Sequence, residues 1–388
     1  MVRTGLKRQT ILILSPQSWG TMFLSKHHYA LELARRGNSV FFLNPPQQEK
    51  ERGKSFIEIK PLEGHENLFL IEHRLFFPYW LKFKAQGVFH WLIQFHIKRI
   101  VARIDQPLQL VWSFDLGNLY PLRYFRVPVY KVFHPVDEPL NKAAIDAAEG
   151  ADILFSVTHE ILEKYNHCEA PKYFINHGVS EEFLEVGEGH TNSQETLHVG
   201  WSGNLLRPEI DREILLRIIH ENPRVTFDFW GSHSLKQTNI GGAIDQETEK
   251  FITRLHQEQN VKLHGAVSSG TLATAIRDMD AFLICYDIEK DQSKGTNYHK
   301  IMEYISTGKI TISNNVTTYR DRPELIQMIS DRKSNDSLPE LFRRVVDNLK
   351  EYNTSELIRL RRRFAADNSY KNQTDRIEKI VAEHRLME

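Results

Sequence analysis

The sequence predicts an α/β protein made of two successive domains, each with a parallel sheet, and three observations carry that prediction. At 388 residues the chain exceeds the size that one hydrophobic core usually serves. Short apolar runs of strand character alternate with helical patterns up to Ile175 and then again from Leu197. Between the two series, Glu185 to Thr196 is polar and glycine-bearing with nothing to bury, which marks a linker.

Ile11 to Leu14 has the continuous apolar character of a buried strand, and Ser15-Pro16 ends it. The loop to Gly20 feeds a helical pattern from about Phe23 to Arg36, Gly37 stops it, and Val40 to Leu43 is the second strand. Strand, glycine-bearing loop, helix, glycine stop and strand form a βαβ opening of the Rossmann type. Leu108 to Ser113, Val129 to Phe133, Ile153 to Val157 and Lys172 to Ile175 read as further strands, and Val88 to Ile104 as a helix. In the second series, strands are expected at Leu197 to Gly203, Val225 to Gly231, Val261 to Gly265 and Ala281 to Tyr286. Helices are expected near Ile210 to Glu221 and Thr271 to Arg277, and the tail from Leu338 is helical with a break around Asn353 to Ser355.

With 41% hydrophobic and 26% charged residues, both domains can bury a core. Lys plus Arg equals Asp plus Glu at 50 each, so no global charge calls for nucleic acid. Cys168 and Cys285 stand too far apart for a disulfide framework or a paired zinc motif, which fits a reducing, cytoplasmic setting. The first apolar run is too short for a signal-peptide core, and no window has the length of a spanning helix.

The chemically richest stretch is Gly295 to Lys309. A helix starting near Thr296 or Asn297 would turn free N–H groups and the positive end of its dipole toward a phosphate. Lys300 adds a full charge, and Glu303, nearly one turn on, can accept hydrogen bonds from ribose hydroxyls. Gly308 ends the helix. An ordinary amphipathic helix with a solvated Lys–Glu pair is the alternative.

The pattern Thr-Asn-x-x-Lys-x-x-Glu-Tyr-x-x-x-Gly before a strand resembles the nucleotide-sugar site of GT-B glycosyltransferases, particularly those similar to family four. Asp137-Glu138, Ala151-Asp152-Ile153, Asn176-His-Gly-Val179 and Gly200-Trp-Ser-Gly203-Asn204 are similar to further landmarks in the same order. The resemblance implies two Rossmann-like domains facing each other across a cleft, with the acceptor on the first and the donor on the second. It implies domains at 1–187 and 188–364, and a C-terminal helix, 365–388, that returns to the first. Glu303 would grip the ribose. Lys300 and the backbone at Thr296, Asn297 and Tyr298 would hold the diphosphate, as would Arg207, for which a solvent-facing role is the alternative. Gly203 and Asn204 would border the donor, or form a plain turn, and Val267 belongs to a segment similar to one whose backbone meets the base edge. In the family another Glu precedes the ribose Glu by eight residues, touches the donor sugar and accompanies retention. Gly295 stands there, so the sugar and the stereochemistry stay open.

In the first domain, Asp137 at a strand's carboxyl end is the candidate general base of an inverting enzyme. His27 and His134 are further catalytic candidates, with binding of donor phosphate or sugar as the role a histidine there can take, and scaffold roles are the alternative for all three. Asp278-Met279-Asp280 precedes a strand rather than following one and reads as a helix end, so no metal site is expected.

From His73 to Ile104 there is no Asp or Glu, while Arg74, Lys82, Lys84, Lys98, Arg99 and Arg103 are interleaved with eight Phe, Tyr and Trp residues. Such a segment, 74–103, can touch an anionic membrane. A core helix with a solvated basic face is the alternative. Taken together, the expectation is a cytoplasmic glycosyltransferase, at the inner face of the cell membrane where that segment touches it. It would take a nucleoside diphosphate sugar, UDP favoured over GDP, as donor without a tightly bound cofactor. The acceptor would be a glycan or lipid-linked glycan, as in cell-surface polysaccharide synthesis. A GT-B epimerase or phosphorylase and a nucleotide-sugar-binding pseudoenzyme are the rivals.

Overall fold

The computed structural model describes residues 6–20, 23–47, 55–126, 128–185, 196–234 and 245–387. The chain divides into two compact units, one of residues 1–176 with 370–388 and the other of residues 177–369. The expected linker lies largely at 186–195, outside the described residues.

The first unit contains β1 (Thr10–Leu14), α1 (Ser25–Arg35), β2 (Ser39–Leu43), β3 (Ile57–Pro61), β4 (Leu68–His73), α2 (Leu81–Lys84), α3 (Gln86–Val101), β5 (Leu110–Ser113), β6 (Tyr130–Phe133), α4 (Lys142–Asp146), β7 (Ile153–Ser156), α5 (His159–Glu163) and β8 (Lys172–Phe174). Its sheet has the order β3-β4-β2-β1-β5-β6-β7-β8. All neighbours run parallel except β3 and β4. β1 is buried at every position because helices or loops cover both faces of a central parallel strand, and its run TILIL meets that demand. β3, at the edge, alternates in burial and ends in Pro61, which an edge tolerates because it lacks an N–H to donate. This antiparallel edge pair is absent from the sequence reading.

The second unit contains α6 (Glu181–Glu185), β9 (Leu197–Ser202), α7 (Arg212–Glu221), β10 (Val225–Trp230), α8 (Gln246–Gln257), β11 (Val261–Gly265), α9 (Ser269–Ile276), β12 (Ala281–Ile284), α10 (Lys300–Ser306), β13 (Ile310–Ser313), β14 (Ile326–Met328), α11 (Leu338–Asp347), α12 (Leu349–Tyr352) and α13 (Ser355–Asp367). Its sheet, β11-β10-β9-β12-β13-β14, is wholly parallel. Local chemistry starts the helices. Asp211, Asp245 and Ser268 accept from the backbone N–H of Ile214, Thr248 and Thr271, satisfying donors that the first turn leaves unpaired.

α14 (Tyr370–Met387) belongs to the first unit. It packs along α1, with Tyr370, Ile377 and Val381 in the same buried cluster as Ala30 and Leu33. Arg36 fixes its register through Asp375 at 2.6 Å and Glu378 at 2.9 Å. No helix among the described residues is long and apolar enough to cross a membrane.

Candidate functional site

In each sheet the strand order reverses at one point, between β9 and β12 in the second unit and between β1 and β5 in the first. Loops leaving the carboxyl ends diverge there and open a crevice, the place where ligands bind to such sheets.

At the β9/β12 switch the structure gathers most of the donor candidates. Lys300 is buried, and its Nζ donates to Tyr286 Oη at 2.7 Å and to the Ser202 carbonyl. It lies 4.4 Å from the Trp201 ring centroid and 5.1 Å from that of Tyr286. The cation thus spans the switch point, held by the end of β9 on one side and the second residue after β12 on the other. Gly203 makes this possible: φ is +143°, and a Cβ would stand 2.8 Å from Lys300 Nζ. Trp201, Ser202 and Tyr286, the residues that touch Lys300, are not among the site candidates of the sequence reading.

Glu303, partly buried one turn along α10, has its carboxyl pushed up to about 7 by desolvation, against the pull of Lys300. Arg207 faces solvent for half of its side chain and forms a forked pair with the buried Glu209, Nη2 to Oε1 2.7 Å and Nε to Oε2 3.2 Å. Asn204 closes a turn by accepting from Leu206 N–H at 2.9 Å, the role given above as its alternative. Val267 is exposed two residues beyond β11.

The helix begins at Lys300, not at Thr296 or Asn297, and has no side-chain cap. Thr296, Asn297 and Tyr298 are a buried loop. Asp291 organises it: its carboxylate accepts from Gly295 N–H at 2.8 Å, Ser293 N–H at 3.0 Å and Tyr298 Oη at 2.7 Å. Thr296 N–H donates to the Ser293 carbonyl at 3.1 Å, so that amide is already used inside the loop. Gly295, at φ +65°, has room for no side chain, since a Cβ would stand 2.6 Å from the Asn315 carbonyl oxygen. A glutamate therefore does not fit at this position.

The first unit holds a cavity of about 570 Å³ at its own switch point. Ser15 and Pro16 after β1, Pro45 after β2, Arg74 after β4 and Asp115 after β5 line it, with Tyr79, Lys82 and Tyr120. Asp115 accepts from Leu119 N–H at 2.7 Å. Beneath Tyr120, a buried chain runs from its Oη to His73 Nε2 at 2.8 Å and from His73 Nδ1 to His96 Nε2 at 3.0 Å. Burial lowers His73 to about 4 and His96 to about 3, so the pair is neutral.

None of the three first-domain candidates lines this cavity. His134 is fully buried between Trp112, Phe114 and Phe155, lowered by desolvation to about 3, and neither ring nitrogen has a hydrogen-bond partner among the described residues. A ring so enclosed cannot touch phosphate or sugar, which corrects the role expected for it. His27 is likewise buried, stacked on Phe42, and its Nδ1 accepts from Leu24 N–H at 3.0 Å at the start of α1. It shapes a helix terminus, which again corrects the expectation. Asp137 is exposed past β6, and its charge is felt by buried Lys26, which desolvation lowers to about 8 while Asp137 and Asp115 pull upward. Asp280 accepts from His198 N–H at 2.9 Å ahead of β12, and no group of three His, Cys, Asp or Glu among the described residues could hold a metal ion.

No family model matches the chain, and no curated protein matches its sequence. Solved structures do match its fold. Sucrose-phosphate synthase from Thermosynechococcus elongatus superposes with a TM-score of 0.69 at 12% identity, covering 98% of this chain and 100% of that one. HepE of Anabaena, in complex with UDP and glucose, gives 0.63 at 13% identity over 96% and 99% of the two chains. An α,α-trehalose-phosphate synthase (UDP-forming) from Burkholderia xenovorans, in complex with glucose-6-phosphate, gives 0.68 at 10% identity over 96% and 99%. The fold is that of the GT-B glycosyltransferases.

Proposed function

We propose, from the GT-B fold as premise, that the protein transfers a sugar from a nucleoside diphosphate sugar to a glycan or lipid-linked glycan acceptor. The observation that carries this reading is Lys300, a buried cation fixed across the β9/β12 switch with Glu303 one turn further on. Lys300 offsets charge on the diphosphate, most of all as it leaves, and Glu303 accepts from the ribose hydroxyls. Arg207 adds a second cation at the mouth. Tyr298 and its neighbours Thr296 and Asn297 shape the floor, with Gly203, Asn204 and Val267 at the rim. The solved structures with UDP and glucose favour UDP over GDP and a hexose as the transferred group. In the first unit, Asp115 inside the cavity is better placed than Asp137 to accept a proton from an acceptor hydroxyl, since it lines a space that a sugar can enter. The reading assigns the enzyme to the cytoplasm and to synthesis of a cell-surface polysaccharide.

The test is thermal stability against UDP, GDP, ADP, CMP and their sugar conjugates, for wild type and Glu303→Ala. A ligand at about 100 times its dissociation constant should add roughly 2.7 kcal/mol. Stabilisation by UDP compounds that Glu303→Ala abolishes is the expected result. No shift with any nucleotide would remove the reading. Gly295 favours one rival, a pseudoenzyme that binds nucleotide sugar without transfer. UDP release that depends on an added glycan acceptor separates transfer from that rival and from an epimerase or phosphorylase.

A further inference from the structure

Exposed apolar surface is unevenly spread over the described residues. Of their eleven exposed large hydrophobic side chains, seven lie between Phe76 and Phe95, with Phe83 at 69%, Trp91 at 60% and Trp80 at 52% exposure. α3 explains the arrangement. Its buried stripe is Phe89, Ile93, His96, Ile97 and Ile100, so Val88, Trp91 and Phe95 belong to the opposite side, where a surface helix ordinarily carries polar residues. No acidic residue interrupts 73–104, and Lys84, Lys98 and Arg99 stand exposed on the same two helices. Lys98 lies over the Phe95 ring at 5.3 Å, so charge and aromatic surface form one face.

Aromatic rings settle at the boundary between headgroups and acyl chains, and ammonium and guanidinium groups are drawn to anionic lipid phosphates. Tyr79 is exposed on this face and also lines the 570 Å³ cavity, with the half-buried Lys82 beside it on the wall, so whatever covers the face also borders the cavity. We propose that the Phe76–Phe95 face rests on an anionic bilayer and holds the cavity at the lipid–water boundary, where it receives an acceptor head presented from the lipid. The docking stands on the surface alone. The identity of the lipid-borne group as an acceptor rests on the transferase reading.

The test is co-sedimentation of the full chain with phosphatidylcholine vesicles, with and without phosphatidylglycerol, at low and raised salt. The wild type should sediment with the anionic vesicles, less so at high salt, and not with the neutral ones. Lys84→Glu with Lys98→Glu should weaken binding at least tenfold. The triple variant Trp80→Ser, Phe83→Ser, Trp91→Ser should do the same without a fall in unfolding temperature, because those side chains are already more than half exposed. Equal binding by wild type and charge-reversed chain, or no sedimentation of wild type with anionic vesicles, would overturn the docking. So would a wild-type dimer that the triple variant converts to monomer without any vesicle binding, which would mean that a second copy covers the face. Vesicle binding in a chain that no nucleotide stabilises would leave the docking standing and remove the transferase reading.

Discussion

Lys300 carries its charge where water is largely excluded, between two aromatic rings and against a backbone carbonyl. Lys300→Met keeps the stem and removes the charge, so it isolates the electrostatic part. Charge-assisted hydrogen bonds of this kind contribute about 2 kcal/mol, so UDP should bind roughly 30-fold more weakly by calorimetry, with unfolding in the absence of ligand changed little. Glu303 gives a pH dependence whose sign follows from its raised carboxyl. Its ordinary value is 4.5 and its folded value about 7, so the stability that proton uptake contributes is fully present below 4.5 and lost as pH rises through 7. Glu303→Gln cannot ionise, and its unfolding temperature should therefore gain on wild type above pH 7. Ribose recognition runs the other way, because the carboxylate is the stronger acceptor. UDP affinity of wild type should rise between pH 6 and pH 8, while that of Glu303→Gln stays flat. A wild-type affinity that falls over this range would show that Glu303 does not accept from the ligand.

At the scale of elements, α10 is held in place by a residue outside the site. Arg361 on α13 is fully buried and donates to the Glu324 carbonyl at 2.8 Å, the Gly308 carbonyl at 3.0 Å, the Tyr352 carbonyl at 2.8 Å and Asn353 Oδ1 at 3.1 Å. Burial draws it down to about 10, against the pull of Glu324. Arg361→Ala strands several buried acceptors and leaves a hole, so urea unfolding should show a loss of about 3–5 kcal/mol. Arg361→Lys should not restore it, since one ammonium cannot reproduce the planar fork. No pattern in the sequence marks this residue, because an arginine on a charged helix reads as solvated. Strands such as TILIL and the helices α7 and α9 were legible, since burial on both faces and helical spacing leave local signs. The start of α10 was not. Asp291, well ahead of the motif, spends its carboxylate on the loop through Tyr298 and delays the helix to Lys300. His27 and His134 misled for a related reason: a histidine packed among aromatics and one facing a ligand have the same letter and the same neighbours in sequence.

Over the whole molecule, the path of the chain couples its last residues to its first unit. The chain leaves that unit after Asn176, completes the second unit by Ser369 and supplies α14 to the first again. α14 closes the core over α1: Tyr370 stacks on His28 with centroids 4.4 Å apart, Tyr130 Oη bonds His384 at 2.8 Å, and Ile377 and Val381 are fully buried. Ending the chain at Ser369 would uncover those contacts and leave Arg36 without Asp375 and Glu378. Losing two fully buried aliphatic side chains and most of a tyrosine contact removes about 4–8 kcal/mol of burial, a large share of what a domain of this size has in reserve. The second unit keeps all of Lys300, Glu303 and Arg361, since each lies within residues 177–369. Calorimetry of the shortened chain should therefore show an early transition for the first unit and a later one that UDP still raises. If both transitions fell together and UDP raised neither, the donor site would depend on the first unit, and the assignment of nucleotide binding to the β9/β12 switch alone would fail.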